Sequence, residues 1–316
     1  MTAPTPTESY AERLSRLLKK WNPRGMMVTE DKAKAAVELL ADRRGSAVAS
    51  PAEIAEARWV YDTAVHPVLD QPIPSMFRAC SFMPMTALAA IGLSGTRSAA
   101  GTIFWHWYYQ SHSAAVRYCN YADTSRDLDP RRMLGAYAAS TAAACVIGVG
   151  ALRLASFFPR LRAVSSAAPH MALGCAGALS TVLNNEPQLK HGVPLVDERG
   201  QPFGCDSRAA AAATVARATL LQAVLVPACA LLVPTLLVRT VIVPRLWMRA
   251  PNLLPIAASA VILGSVVVLT PLAVAAVPAY VPLLLDSLEE ENKVVVERIA
   301  REQGRQPRVF SGRVLY

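Results

Sequence analysis

Charge is what this sequence has least of. Asp, Glu, Lys and Arg make up only 17% of its 316 residues, against about 25% in an ordinary soluble domain. The shortage is uneven: residues 1–78 look soluble, while most of the remainder holds long charge-free lengths, which excludes a plain string of soluble domains. Cysteine is sparse as well. The six cysteines, Cys80, Cys119, Cys145, Cys175, Cys205 and Cys229, form no CxxC pair, and most sit in apolar runs, where a free thiol acts as a small hydrophobe. Neither a disulfide framework nor a zinc site is expected. There is no phosphate loop, nucleophile elbow, metal-spaced His/Cys set or paired carboxylate in an apolar setting, so the expectation is no enzyme, no cofactor and no metal. The net charge is +9, yet the basic residues are spread along loops and both ends without a Lys/Arg block. Nucleic acid is therefore not an expected partner, whereas anionic lipid headgroups are. The opening residues, MTAPTPTESYAERL, show neither the apolar core of a secretory signal nor an evident mitochondrial presequence.

What is present is apolar: 53% of residues, with a mean hydropathy of +0.29. Five charge-free lengths stand out, at about 79–96, 133–152, 163–185, 218–238 and 253–285. Each is long enough to span a bilayer at 1.5 Å per residue. Pro84 is expected to kink or break the first. Gly174 and Gly177 suit close helix contact in the third. The last is too long for one span, and Pro271, Pro278 and Pro282 are expected to divide it into a span and an interfacial tail. The fold class expected is all-α: a polytopic membrane bundle over 79–285, preceded by a soluble helical region, 1–78, and followed by a charged tail, 286–316.

Inside the bundle one stretch is different. Gly101 to Asp123 carries Trp105, Trp107, Tyr108, Tyr109, Tyr118 and Tyr121, with no acid or base between Arg97 and Arg117. On a helix over 102–123, His106, Gln110, Ser113, Arg117, Asn120 and Thr124 recur every three or four residues and share one stripe. Two roles remain open for it: a helix lying flat at the membrane surface, or the wall of a polar path. His106 and His112 are six apart, nearly opposite on a helix, and cannot chelate one ion from a single face. His170 reads as bundle packing.

The flanking segments are readable too. Tyr10–Trp21 has helical spacing and stops at Asn22-Pro23. Thr29 opens a second helix. Ser50-Pro51-Ala52-Glu53 is a helix N-terminal signature, and His66-Pro67 closes the helix that it opens. In the loop 187–210, Val193–Val196 reads as a strand, Asp197-Glu198-Arg199-Gly200 as a turn, and Gly204-Cys205-Asp206-Ser207 as the approach to a capped helix, so a hairpin is expected. The tail is helical to about Gly304, and its last residues are apolar enough to dock.

Several of these motifs together resemble the sideroflexins, multi-span proteins of the mitochondrial inner membrane. The match is carried by Trp21-Asn22-Pro23-Arg24, by Tyr61-Asp62 with His66-Pro67, by Phe104-Trp105-His106-Trp107 with Gln110-Ser111 and Asn120, and by Gly192 to Ala210 with Asp197, Gly200, Gly204 and Ser207. This sequence departs from the family pattern in places. Val68-Leu69-Asp70 stands for Asp-Thr-Gly, His106 for Gln, Tyr109 for Asn, Arg117 for Asn, and Glu186-Pro187 for a longer segment. The resemblance implies transport of small amino acids, serine above all, feeding one-carbon metabolism. For a zwitterion, Arg117 is the candidate for the carboxylate. Asn120, Gln110 and Asn184 are candidates for the ammonium, Ser113 lies on the same stripe, and a helix broken at Pro84 would add free backbone groups. The alternative is a non-transporting subunit of a larger inner-membrane complex, motivated by the departures.

Overall fold

Ser9 opens the first helix, α1 (Tyr10–Lys20). Its hydroxyl accepts the Glu12 N–H at 3.3 Å, and the Glu12 carboxylate takes the Ser9 N–H and O–H at 2.8 Å each. Two orphan donors are thus satisfied reciprocally. The structure, a computed structural model, describes residues 6–42, 49–96, 98–120, 129–158, 168–225, 227–228, 233–278, 280–302 and 308–311. Thr29 caps α2 (Glu30–Ala41), and Ser50 with Glu53 caps α3 (Pro51–Ala64). These two pack through Ala33, Ala57, Val60 and Ala64. After α3 the His66 Nδ1 accepts the N–H groups of Val68 and Leu69 at 3.2 and 3.3 Å, closing a turn. The turn ends at Asp70, whose φ is 52° and whose carboxylate accepts the Tyr61 hydroxyl hydrogen. That bond, with burial, pushes the Tyr61 phenol up to about 12.

The bundle comprises α4 (Phe82–Gly95), α5 (Ala99–Cys119), α6 (Pro130–Phe157), α7 (Ala168–Asn184), then past a short α8 (Glu186–His191), α9 (Arg208–Leu220) and a long α12. Between α9 and α12 lie the short α10 (Val233–Leu237) and α11 (Val243–Leu246); α12 is Leu254–Ala275. Helix α5 packs between α4 and α6, and α6 runs along α7. The core is Met83, Ala87, Ala90, Leu93, Leu173, Leu221, Ile262 and Val266. Trp105 reaches this core because Gly92 on α4 has no side chain: a Cβ there would lie 2.0 Å from the indole Cε2.

Among the described residues two helices are long and apolar enough to cross a membrane, Pro130–Leu154 and Pro251–Ala275, with mean hydropathies of 1.5 and 2.3. Five spans were expected; the individual lengths differ from that expectation segment by segment. The first length starts with a 3-10 turn, Ala79–Ser81, leaving 14 residues in α4, about 21 Å of helix. Pro84 falls in the first turn of α4, where a missing N–H costs nothing, so it does not break the helix. Residues 163–167 of the third length lie outside the described residues, and α7 has 17 residues. The fourth begins earlier than expected, since Ser207 caps an alanine run, and then passes into a π-helical turn, Leu221–Leu225. In the fifth, α12 continues through Pro271 to Ala275, so the proline does not divide it there.

An all-α fold was expected, and here the structure corrects the sequence. Strands β1 (Val193–Val196), β2 (Pro202–Ser207), β3 (Pro282–Leu283) and β4 (Val309–Ser311) form an antiparallel sheet in the order β2-β1-β4-β3. The β1–β2 hairpin is the one expected. Asp197 Oδ1 accepts the N–H groups of Arg199 and Gln201 at 2.8 Å each, and Gly200 takes a φ of 78° in the turn. Residues 282–283, expected in an interfacial tail, are a strand instead. They pair with β4 through Leu283 and Val309, and β4 pairs with β1 through Leu195 and Ser311. Helix α13 (Glu290–Glu302) covers this sheet with Val296, over Val193, Leu195 and Phe203.

Candidate functional site

A cavity of about 610 Å³ lies where α5, α7 and α12 end and α6 begins, with α1 across it. That volume is within the range of small-molecule sites. Ser98 caps α5 by accepting the Gly101 N–H at 3.0 Å, so the stripe identified in the sequence starts in register. Its first residues, His106 and Gln110, are buried in the bundle, as is Thr102 one turn before them. Gln110, Ser113, Arg117 and Asn120 line the cavity. Thr124 lies outside the described residues. The helix is thus packed between neighbours and walls a polar space. Phe104 and Trp107 are on its outer side, 49% and 50% exposed, with the Phe104 ring edge-on to Trp105 at 5.0 Å.

Much of the polar lining is already oriented. Asn120 ends α5, its Nδ2 donating to Phe77 O and Val116 O at 2.8 Å each. Asn184, near the end of α7, donates to Ser180 O at 2.7 Å and to Ser180 Oγ at 3.1 Å. The Gln110 Oε1 accepts from Ser140 Oγ at 3.5 Å. Ser111 and the lining residue Tyr137 share a hydrogen bond of 2.8 Å. Pro84 is not part of the lining. His66, Asp197, Gly200 and Ser207 serve turns and a cap, Pro67 follows His66 in its turn, and Gly204 takes a φ of 73° in β2.

The wall that sequence reading missed is basic. Arg13, Arg16 and Lys20 of α1 face the cavity together with Arg117 and Arg132. The signal was present, since 13, 16 and 20 share one stripe of a helix, but it reads equally as a solvated face. Arg13 Nε donates to Ala275 O at 2.8 Å, tying α1 to the end of α12. Arg16 is held bidentately by Glu8 at 2.9 and 2.8 Å. Trp21 lies tilted against Phe82, with ring centroids 6.3 Å apart. Asp129 is the carboxylate among the lining residues, and it caps α6 through the Arg131 N–H. The C-terminal ends of α5, α7 and α12, which carry partial negative charge, line the same cavity. The lining thus offers both cationic side chains and carbonyl-bearing helix ends to a small solute. Among the described residues no set of three or more His, Cys, Asp or Glu side chains is placed to hold a metal ion.

A family model described as "Sideroflexins" matches residues 6–310. The chain is 27% identical to the sideroflexin fsf1 of Schizosaccharomyces pombe over 212 residues, 64% of this chain and 65% of that protein. It is 26% identical to human sideroflexin-3 over 193 residues, 60% of this chain and 59% of that protein. It is 24% identical to mouse sideroflexin-1 over 299 residues, 92% and 90% respectively. The chain thus spans under two thirds of the length of the first two relatives. No solved structure matches it.

Proposed function

Because the chain belongs to the sideroflexin family, we propose that it is a multi-pass carrier of the mitochondrial inner membrane that moves small amino acids, serine first among them. The observation that carries this reading is the cavity, whose lining brings Arg117 and the α1 cations together with Asn120, Asn184 and the C-terminal ends of α5, α7 and α12. In this reading Arg117 engages the substrate carboxylate, and the carbonyl-rich helix ends, with the Gln110, Asn120 and Asn184 oxygens, take the ammonium. Ser113 is placed to bond the substrate side chain. The two long apolar helices cross the bilayer, and the exposed Val146 and Ile256 on them meet lipid. Basic residues near the membrane surface meet anionic headgroups.

The test is uptake of labelled serine into liposomes that hold the purified protein. Uptake above that of empty liposomes, competed by unlabelled serine, supports the carrier. No uptake, with recovery of the chain in fixed stoichiometry with subunits of a respiratory-type complex, supports the alternative of a non-transporting subunit, a reading motivated by the departures at Val68-Leu69-Asp70 and Glu186-Pro187.

A further inference from the structure

The junction of α7 and α8 brings acceptors to the cavity. Asn184, Asn185 and Gln188 all line it. The two asparagines are oriented by carbonyls of α7: Asn184 Nδ2 donates to Ser180 O at 2.7 Å, and Asn185 Nδ2 to Thr181 O at 2.8 Å. A carbonyl only accepts, so the nitrogen of each amide must face it, and each Oδ1 is turned the other way. Those oxygens are the acceptors that the two side chains offer. Gln188 is half-buried, and its Oε1 is buried without a hydrogen-bond partner. A buried acceptor left unmet is costly, so a donor that enters the cavity gains most there.

The backbone keeps these three amides together. Asn185 N donates to Thr181 O at 3.2 Å, and Leu189 N donates to Asn185 O at 3.1 Å. The hydrogen-bond ladder thus crosses from α7 into α8. Gln188 follows Asn184 by four residues and Asn185 by three, the spacings at which side chains of one helix meet, with about 5–6 Å between Cβ atoms. Pro187 stands between them and has no N–H to give the Leu183 carbonyl, and the end of α7 carries partial negative charge. These features favour a donor that bears positive charge, although none of the three amides is ionised.

The carboxylates nearby have other work. Glu186 is not in the lining; it pairs with Lys190 at 2.5 Å and with Arg132 at 3.8 Å. Asp129, the carboxylate among the described lining residues, caps α6 through the Arg131 N–H at 3.0 Å. Charge also decides between kinds of cation. A bare metal ion would meet Arg13, Arg16, Lys20, Arg117 and Arg132 in the same cavity and bring nothing to offset them. An α-amino acid brings its own carboxylate, and its primary ammonium has three N–H groups for three amide oxygens.

We propose that Asn184, Asn185 and Gln188 form a neutral clamp for the primary ammonium of the substrate, and that Gln188 sets the preference for ligands that carry an amine. The clamp rests on the carrier reading for the class of substrate; it assigns Asn185 and Gln188 to the site and places the ammonium at the end of α7. Neutral oxygens hold the ammonium by hydrogen bonds without an ion pair to break, and a transport site must bind weakly enough to let its cargo leave.

The test measures binding apart from transport. Equilibrium dialysis of the purified chain in detergent is run with labelled serine and with labelled 3-hydroxypropanoate, which is serine without its amine. The parent should bind serine about tenfold or more tighter, the worth of hydrogen bonds to a charged group. Gln188→Leu should lose about tenfold in serine affinity and bind 3-hydroxypropanoate as the parent does, which also shows that the cavity is intact. Gln188→Glu, which keeps the oxygen, should bind serine at least as tightly as the parent, and Asp129→Asn should keep the preference. Equal affinity of the parent for both ligands overturns the clamp, as does a preference unchanged in Gln188→Leu; serine uptake by liposomes would then leave the carrier standing. Equal loss of both ligands in Gln188→Leu makes Gln188 merely structural and overturns its role. A preference lost in Asp129→Asn and kept in Gln188→Leu moves the ammonium to Asp129 and overturns the clamp too. Serine bound with the expected preference but not taken up by liposomes upholds the clamp and removes the carrier. No serine binding at all overturns both.

Discussion

The Ser207 hydroxyl donates to a Glu289 carboxylate oxygen at 2.6 Å, across 82 residues of sequence. The other oxygen of Glu289 accepts the N–H groups of Arg208 and Ala209 at 2.8 and 3.0 Å, and Asn292 donates to the carboxylate at 3.0 Å. Ser207 itself caps α9 by accepting the Ala210 N–H at 3.0 Å. The C-terminal segment thus supplies the anion for the start of a bundle helix, where orphan N–H groups and the helix dipole favour negative charge. Burial alone would raise the Glu289 carboxyl. The hydrogen bonds from Ser207, from the Ala209 N–H and its own N–H, and from Asn292 outweigh that and hold it down to about 2.

This contact has a defined pH dependence. Glu289 is lowered in the folded chain, so its stabilisation is fully present above the unfolded value near 4.5 and is lost as pH falls through about 2. Glu289→Ala should cost about 1–2 kcal/mol at neutral pH, the cost of losing a helix cap, with the charge contributing about 1 kcal/mol of that after solvent screening. The gap between parent and variant, measured by thermal unfolding in detergent, should narrow between pH 4.5 and pH 2. A gap unchanged across that range would show that the charge is not involved.

The seat of Trp105 against Gly92 is sensitive to a single methyl. Gly92→Ala places a carbon 2.0 Å from the indole, and α4 must move away from α5 at a cost of about 1–3 kcal/mol. Adding Trp105→Phe should return part of that loss. A double-mutant cycle reads the coupling directly, and additive effects would mean that the two helices separate without strain.

Arg78 is 3% exposed, and its guanidinium joins three carbonyls: Ile73 O at 2.9 Å, and Gly25 O and Val28 O at 2.7 Å each. It fastens the segment after α1 to the entry of α4. Arg78→Ala leaves these acceptors unmet and should cost about 3 kcal/mol or more. Arg78→Lys should recover less than half, because one ammonium lacks the planar fork. The melting temperatures of the two variants, compared with that of the parent, check the order.

Arg117 stands on the cavity wall one turn from Ser113 and Asn120. Arg117→Ala should lower serine uptake at least tenfold, about 1.4 kcal/mol in the rate-determining free energy. Initial rates in liposomes, normalised to inserted protein, measure it. Full uptake by the variant would take Arg117 out of the binding site.

Local signals survived where a few adjacent residues settle the geometry. Ser50-Pro51-Ala52-Glu53 caps α3 as its spacing implies, and Asp197 to Gly200 turns β1 into β2. Hydrophobic length alone was a weaker guide. It does not register that Ala79–Ser81 is a 3-10 turn, or that Pro84 sits in the first turn of α4, where the ring is tolerated, while Pro271 is carried inside α12. The α5 stripe was legible in Gln110, Ser113, Arg117 and Asn120 because helical period alone aligns them. The α1 cations were not, because a basic face looks the same whether it meets water or a cavity.

The residue order by itself determined the helical, charge-poor character of the chain, its caps and hairpin turn, and the polar stripe on its aromatic helix, since each depends on neighbours within a turn or two. Only the tertiary structure decided that α1 closes a cavity against the ends of α5, α7 and α12, that β4 inserts between β1 and β3, and that Gly148 admits the ring of His106. Those arrangements join segments tens to hundreds of residues apart, and they rest on packing and on hydrogen bonds between surfaces that no short stretch of sequence contains.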